Sequence, residues 1–452
     1  MTMLATTTFP RAALSTALRA GAVLSFTFGS ALAFATASEA VEIQEVTSPG
    51  GIKALLVEDY TNPLIAVNFA FEGAGSTADA PGKEGTGALL TGMLDEGAGP
   101  IESAQFQSKL DELGVSLSFD VGLDNFTGSF RTIVENEDEA FDLLRLALNE
   151  PRFDPEPVAR MKAQFVTNIV ASLNDPGELA GKAWRQAVFP DHPYSRPTEG
   201  TAQTMGAITK EDLQSFRTKG FARGNLVVGV VGAIDAAALG QRLDTVFGTL
   251  AEKPDLPTVP DVSPAMGKTV NVPLDVPQTS IQFALPGVKR DDPDFFAAYL
   301  MNHVLGGGSF SSRLYQEIRE KRGLAYGASS YLASYDHSAV LGAGTATRAD
   351  KAQESVDIIR AEIKRMAETG PSPEELAKAK AYVTGAYAIQ NLDSSLSIAS
   401  TLVGIQLDRL GIDYIDKRKD LIEAVTMEDV KRMGQKLLSA DPSVITVGPA
   451  AS

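Results

Sequence analysis

The chain contains 452 residues with a formal net charge of −17, no cysteine and three histidines. Hydrophobic residues make up 44% of it, which is enough for packed cores, and the length predicts two or more domains. The acidic balance argues against a nucleic-acid backbone as partner, because phosphate binding needs clustered Lys and Arg. The absence of cysteine excludes disulfides and thiolate metal sites, and His192, His303 and His337 are too scattered to offer a metal-ligating pair.

The N-terminal segment has the order of a secretory signal peptide. Arg11 and Arg19 precede an apolar run of small residues over 20–33, and small residues suited to cleavage continue to Ala40. This order predicts a signal peptide over residues 1–40, with a retained membrane anchor or a transit peptide as the alternatives. No later segment reaches the apolar length of a membrane span. The pattern therefore predicts a soluble, periplasmic mature chain with no membrane segment after cleavage.

The first half of the mature chain mixes predicted strands and helices. The predicted strands lie at 53–57, 64–71, 115–121, 126–133 and 225–232, and the predicted helices at 86–95, 102–113, 136–148, 154–174 and 236–248. A further helix begins after Thr209, which is a favourable N-cap residue followed by Glu211 and Asp212 in the first turn. This mixture predicts an α+β domain over residues 41–250.

Residues 251–269 separate this domain from a second one. They contain four prolines and show no apolar periodicity, which predicts a semi-rigid linker near the middle of the mature chain. The second domain then occupies residues 270–450.

The second half repeats the first. Residues 106–114 match residues 315–323, and residues 209–213 match residues 426–430 at nearly the same offset. Each copy ends in an apolar strand. Chance matching of short helix starts is the alternative, but the common order and offset favour a duplicated α+β domain.

Two stretches, 85–97 and 306–331, contain the candidate functional residues. The first is framed by glycines around Met93-Leu94, and the second begins with three glycines and continues through Ser312-Arg313-Leu314. With the duplication, these stretches resemble the M16 metallopeptidase family of pitrilysin and the mitochondrial processing peptidase, over nearly all of the mature chain. The resemblance implies an α+β fold of two homologous LuxS/M16-like α/β-sandwich domains, duplicated within the chain and forming half of a clamshell.

The resemblance also implies that the zinc site is missing. Active M16 members carry His-x-x-Glu-His on a helix of the first domain, where the two His bind Zn²⁺ and the Glu activates water. The matching positions here are Ala88 and Gly92 for the ligands and Thr91 for the base. The third family ligand, a Glu, falls near residues 167–168, and residues 157–177 contain no Glu. None of these side chains can ligate zinc or act as a base, so the chain is expected to hold no metal and to be inactive alone.

The second stretch matches the other half of the family's site. M16 enzymes supply an Arg, six residues and a Tyr from the second domain, and here these are Arg319 and Tyr326. The equivalent positions of the first domain are Leu110 and Leu117, so the pair belongs to the second copy alone. A guanidinium and a phenol can stabilise the carbonyl oxygen of a peptide during hydrolysis or hold its backbone. The alternative is an ordinary surface arginine and a core tyrosine.

The glycine run is a candidate substrate-binding segment. Gly306, Gly307 and Gly308, with Ser309, resemble in shortened form the glycine-rich loop of the non-catalytic processing-peptidase subunit, which contacts substrate. Glycines let a backbone approach a ligand closely. A plain connection between two helices is the alternative.

Together, these implications predict a non-catalytic subunit of a heterodimeric zinc peptidase. The partner would be an M16 homologue carrying His-x-x-Glu-His, which brings the Zn²⁺, while this chain has no cofactor of its own. It would bind the peptide as an added strand and supply Arg319 and Tyr326 in trans. The alternatives are a structural scaffold like the family-related core subunits of respiratory complexes, and a stand-alone peptide-binding protein without a proteolytic role.

Overall fold

Two large β-sheets, one in each half of the chain, organise the computed structural model, which describes residues 42–449. The predicted signal peptide over 1–40 lies outside the described residues. Within 42–449, every helix is too short or too polar to span a bilayer.

Strands and helices alternate through the first half. Its strands are β1 (Gln44–Thr47), β2 (Lys53–Glu58), β3 (Leu64–Glu72), β4 (Gly97–Ala98), β5 (Ile101–Glu102), β6 (Ser116–Val121), β7 (Asn125–Ile133) and β8 (Leu226–Gly232). Its helices are α1 (Thr86–Thr91), α2 (Ser103–Leu113), α3 (Glu137–Asn149), α4 (Pro155–Ser172), α5 (Pro176–Val188), α6 (Ala202–Ala207), α7 (Lys210–Gly220) and α8 (Ala236–Phe247).

The second half repeats this series with fewer strands. Its strands are β9 (Thr269–Pro273), β10 (Gln278–Pro286), β11 (Ala325–Tyr335), β12 (Ser338–Arg348) and β13 (Ser443–Gly448). Its helices are α9 (Phe295–Asn302), α10 (Arg313–Tyr315), α11 (Ala352–Thr369), α12 (Pro373–Asn391), α13 (Ser395–Leu407), α14 (Tyr414–Ala424) and α15 (Met427–Leu438). Helices α9 and α10 each continue into a π-helical turn, His303–Gly307 and Gln316–Glu320 respectively.

The two sheets share one topology. The first has the order β1-β2-β8-β3-β7-β6, and the second has the order β9-β13-β10-β12-β11, which matches the first from β2 onward. The directions match as well, because β2 with β8 and β9 with β13 are the parallel pairs and all other neighbours are antiparallel. The duplicated α+β fold predicted from the sequence is confirmed.

Each half covers the sheet of the other with one helix. Helix α5 of the first half packs on β10 and β13, and its counterpart α13 of the second half packs on β3 and β8. Trp184 of α5 is buried, and its indole Nε1–H donates to the Phe283 carbonyl at 3.1 Å. On the other side, a Cβ on Gly229 would lie 2.4 Å from the Ala399 carbonyl oxygen, so only glycine admits the helix at this distance. These reciprocal contacts join the halves into one body.

The proline-rich segment between the sheets is held by both halves. It is irregular from 252 to 268. The Val262 N–H donates to the His337 carbonyl at 2.9 Å, and the Ala265 N–H donates to the Val188 carbonyl at 2.8 Å. The segment therefore packs along the junction, with its prolines providing an extended backbone.

Three first-half helices differ from the sequence-based prediction, which places the end of α1 too late and contains neither α5 nor α6. The helix predicted over 86–95 ends at Thr91, because Gly92 stands at its C-cap and its N–H turns back to the Leu89 carbonyl at 3.2 Å. The pattern also leaves α5 unpredicted, although Asp175 caps it by accepting the N–H of Gly177 at 2.8 Å. An Asp-Pro start is a recognisable helix signal, so the sequence contained the information.

Candidate functional site

At the position of the family's zinc motif, helices α1 and α4 pack through apolar side chains. Ala88 is buried in α1, and the Thr91 hydroxyl donates to the Ala88 carbonyl at 2.7 Å, which occupies it within its own turn. A Cβ on Gly92 would lie 2.6 Å from the Met161 Cε and 3.7 Å from the Phe165 ring. Helix α4 therefore presents a thioether and a ring where a metal site would need a carboxylate.

Residues 167–168, the sequence estimate for the third ligand, are exposed. Among residues 42–449, no group of three or more His, Asp or Glu side chains is close enough together to hold a metal ion. The residues present therefore do not fit a zinc ion.

The two acidic residues that follow α1 already have partners. The Glu96 carboxylate pairs with Arg160 at 2.6 Å and accepts the Ser103 hydroxyl. The Asp95 carboxylate accepts the Gln107 amide at 3.1 Å, and burial raises the pKa of Asp95. Their contacts are structural.

The N-terminal end of α1 is fixed by a buried carboxylate. Asp79 accepts the backbone N–H of Gly85 at 2.8 Å and that of Gly87 at 2.9 Å. Burial raises the pKa of Asp79 to about 7, although these two bonds favour the charged form. The helix is thus held firmly even though its metal-binding residues are absent.

Restoring the two histidines and the glutamate alone is not expected to restore zinc binding. The variant Ala88→His, Thr91→Glu, Gly92→His has only two protein ligands, and it crowds Met161 at a cost of about 1–3 kcal/mol in the free energy of unfolding. It is expected to hold no stoichiometric zinc after dialysis, as measured by elemental analysis. Adding Met161→Glu, which supplies a carboxylate from α4, is the matched comparison and is expected to allow binding. Stoichiometric zinc without Met161→Glu would contradict this account.

Arg319 lies on the π-helical turn that continues α10. Its guanidinium donates to the Tyr315 hydroxyl and stands 5.0 Å from the centre of the Tyr315 ring. Glu320 is its nearest carboxylate partner, at 3.8 Å and partly exposed. π-Helical turns are frequent at functional sites. Arg319 is therefore oriented by a neighbouring ring and retains guanidinium donors for another partner.

The turn is anchored on both sides by ion pairs. Arg313 makes a two-pronged contact with Glu375 of α12, at 2.8 and 2.7 Å, and this contact lowers the pKa of Glu375 to about 2. The buried Glu317 pairs with Lys321 and Arg322, each at 2.5 Å. These contacts hold the backbone that carries Arg319.

Tyr326 projects from a β-bulge in the edge strand of the second sheet. Ala325 pairs with Thr347 and Ala328 pairs with Thr345, so β11 has an extra residue at this point. The Thr345 hydroxyl donates to the Gly327 carbonyl at 2.7 Å, which fixes the bulge. Tyr326 is 89% exposed, and no hydrogen bond to its hydroxyl is present within residues 42–449. The bulge directs a free phenol into solvent beside the turn of Arg319.

The glycine run is tightly packed. A Cβ on Gly306 would lie 2.5 Å from the Ser330 N on β11, and one on Gly308 would lie 2.7 Å from the His303 carbonyl oxygen. Gly307 and Ser309 are exposed, and Ser309 has a φ of +46°. A non-glycine residue in this conformation is strained. The run therefore brings the loop close against β11, and the substrate contact assigned to it stays a prediction.

Two aromatic residues near Arg319 were missed by the sequence reasoning. The exposed Phe310 ring meets the Tyr315 ring edge to face, with centroids 5.2 Å apart. Tyr315 in turn holds Arg319. This series of contacts links the glycine loop to the arginine. The (i, i+4) spacing of Tyr315 and Arg319 was a signal for their contact on one helix face.

The chain is similar to an inactive peptidase domain and to proteins described as zinc proteases or as non-peptidases. The family domain described as "Peptidase M16 inactive domain" matches residues 207–383. An uncharacterized zinc protease of Streptomyces coelicolor is 24% identical over 417 residues, which cover 90% of each chain. A Helicobacter pylori protein described as a non-peptidase homolog is 26% identical over 358 residues, covering 77% of this chain and 81% of that protein.

Solved structures give the same result for the fold. The crystal structure of a peptidase M16 inactive domain from Pseudomonas fluorescens superposes with a TM-score of 0.85 at 27% identity, covering 91% of this chain and 98% of that one. A Helicobacter pylori protease structure shares the fold, with a TM-score of 0.81 at 18% identity over 90% of this chain and 99% of the other.

Proposed function

Because this chain belongs to the M16 peptidase family, we propose that it is the non-catalytic subunit of a heterodimeric zinc peptidase in the periplasm. The partner is an M16 homologue with an intact His-x-x-Glu-His motif and its Zn²⁺. This chain binds the peptide substrate and supplies Arg319 and Tyr326 to the partner's site. The predicted signal peptide supports the location.

The observation that carries the proposal is the exposed phenol of Tyr326. A buried tyrosine hydroxyl usually has a hydrogen-bond partner within its own chain. The Tyr326 hydroxyl is instead directed into solvent by a β-bulge, which the Thr345 hydroxyl fixes. Arg319 lies on the adjoining turn with donors to spare. The contrast with Ala88 and Gly92 supports a divided site, because the half that would bind metal is closed and the half that would stabilise an oxyanion is open.

The substrate class follows from the sheet edge. Strand β11 has no neighbouring strand on its outer side in the described residues, so those of its backbone N–H and C=O groups that face outward without a partner are available to an extended peptide. Tyr326 lies on this strand. A peptide added there would pass directly by the phenol.

The test is reconstitution from purified subunits. This chain and an M16 homologue with the His-x-x-Glu-His motif, taken as the proposed partner, are each expected to leave a fluorogenic peptide intact, or nearly so, and to cleave it when mixed. The double variant Arg319→Ala, Tyr326→Phe is expected to lower the activity of the mixture at least about 100-fold. Size-exclusion chromatography checks that the variant still forms the complex.

The matched control is the double variant Lys364→Ala, Tyr331→Phe, which changes an exposed lysine of α11 and a tyrosine on the same strand as Tyr326. It is expected to keep most of the activity. Full activity of the Arg319 and Tyr326 variant would refute the trans contribution and favour a scaffold role. Peptide binding without cleavage in any mixture would favour a stand-alone binding protein.

A further inference from the structure

A crevice opens in the second half between α9 with its π-helical turn, α12 and α14. It encloses about 280 Å³. Aromatic rings and two amides form much of its wall: Phe295, Phe296, Tyr299, Tyr382, Tyr387, Tyr414, Gln390 and Asn391. Pockets for drug-sized ligands start at roughly 300 Å³. The crevice therefore suits one side chain or a comparably small group.

Two arginines are the charged groups of its lining. Arg418 is only 7% exposed, and its Nη1 donates to the Val383 carbonyl at 3.1 Å. Its guanidinium stands 4.1 Å from the centre of the Tyr387 ring. No carboxylate within residues 42–449 forms an ion pair with it. Burying a cation without a counter-charge is costly, so the lining has an unmet preference for an anion.

The second arginine, Arg290, adds to the positive charge of the crevice. Arg290 stands 4.1 Å from the centre of the Phe295 ring and donates to the Tyr414 hydroxyl. Its carboxylate neighbour, Asp408, is 3.8 Å away and outside the lining. Burial lowers the pKa of His303, so the imidazole at the mouth is neutral at pH 7. The positive charge of the crevice therefore comes from the arginines.

Duplication explains why the crevice exists. Helices α9 and α12 are the second-half counterparts of α1 and α4, which enclose the lost zinc position in the first half. There Met161 and Phe165 close the gap at Gly92. In the second half the space between the counterpart helices stays open, and α14 supplies Arg418 to it.

We propose that this crevice binds a carboxylate attached to an aromatic or apolar group, as presented by the C-terminal residue of a peptide. The carboxylate lies against Arg418 and Arg290, and the apolar group packs on Tyr387 and Tyr382. Planar guanidinium groups suit a carboxylate, and the rings suit an apolar neighbour better than a free inorganic anion. The proposal rests on the proposed function only in taking a peptide as the source of the carboxylate.

The test uses this chain alone, so that its result is independent of any partner. Fluorescence anisotropy is measured with a labelled short peptide ending in phenylalanine, with either a free carboxylate or an amide at its C-terminus. The free acid is expected to bind at least about tenfold more tightly, because only it forms charge-assisted hydrogen bonds. An amidated peptide ending in glutamate is the third probe. If it matches the free acid, the carboxylate comes from a side chain and the proposed chemistry stands.

Variants connect the binding to the crevice. Arg418→Gln is expected to bind the free acid as weakly as wild type binds the amide, and Tyr382→Ala, at the exposed mouth, is expected to weaken both peptides several-fold. Arg360→Gln, on α11 and outside the crevice lining, is the control and is expected to match wild type. Equal affinity for acid and amide, or no binding of either, would overturn the proposal.

The proposal would also be overturned if a folded Arg418→Gln variant still bound the free acid more tightly than the amide. Thermal unfolding shows whether that variant is folded. If it does not fold, Tyr382→Ala decides, and an unchanged affinity in that variant counts against the site. These binding measurements do not depend on peptidase activity with a partner. The crevice proposal and the proposed function can therefore be refuted independently.

Discussion

Tyr326→Phe in the reconstituted pair is expected to lower kcat about 100-fold while KM changes by less than about twofold. The substitution removes one hydroxyl and leaves the ring. That hydroxyl is exposed in this chain and is free to donate to the oxygen that becomes negative during peptide hydrolysis. Because the charge develops only in the transition state, ground-state binding is little affected. Steady-state kinetics with a fluorogenic peptide measures both constants.

Arg319→Ala provides the contrast within the same pair. Its guanidinium can hold the substrate backbone as well as the oxyanion, so KM is expected to rise together with the fall in kcat. Arg319→Lys is expected to recover little of the lost activity. A guanidinium can donate to the Tyr315 hydroxyl and still have further N–H donors for the substrate, whereas an ammonium group lacks this planar fork. Tyr331→Phe on the same strand is the control. If Tyr326→Phe changes kcat by less than about threefold, the phenol has no part in the chemistry.

Trp184→Ala is expected to lower the free energy of unfolding by about 3–5 kcal/mol, the cost of removing a large buried aromatic side chain. The indole packs in a cluster with Phe189, Tyr194 and Ile445, which spans both halves. It also donates its N–H to the Phe283 carbonyl, which would be left without this partner. Urea unfolding followed by circular dichroism gives the difference.

The same experiment tests whether the halves unfold together. Trp184→Phe keeps most of the apolar contact and is expected to lose only about 1–2 kcal/mol. In the wild type, Trp184 is the one tryptophan, so its fluorescence reports the junction. The fluorescence and circular dichroism transitions are expected to coincide. A separate early fluorescence transition would show that the junction opens before the sheets unfold.

Much of the fold could be predicted because local patterns repeat. The helix start at Thr209 recurs at Thr426, and in the structure both hydroxyls cap their helices by accepting the N–H three residues on, at 3.3 and 3.2 Å.

The C-terminal end of α1 was harder to predict from the sequence. A run of apolar residues around Gly92 is compatible with a longer helix, and only the packing of Met161 against Gly92 shows how the chain turns there.

The candidate site was predictable in part for the same reason. The resemblance places Ala88 and Gly92 at the zinc-ligand positions, and neither residue can ligate a metal in any fold. The resemblance to the M16 family proposes Arg319 and Tyr326 as a pair, but the bulge that turns Tyr326 outward depends on the pairing of β11 with β12, which local sequence does not contain. The contact between Phe310 and Tyr315 likewise depends on the path of the glycine loop.

The glycine run at 306–308 shows which features the sequence determines and which depend on the tertiary structure. Side-chain chemistry and short-range spacing are properties of the chain itself, so the missing ligands, the duplication and the Arg–Tyr spacing could be read directly. The close approach of Gly306 to Ser330, the crossing of α5 and α13, and the crevice around Arg418 join residues far apart in sequence. Such contacts arise when whole elements pack, because burial of apolar surface selects the arrangement as a whole.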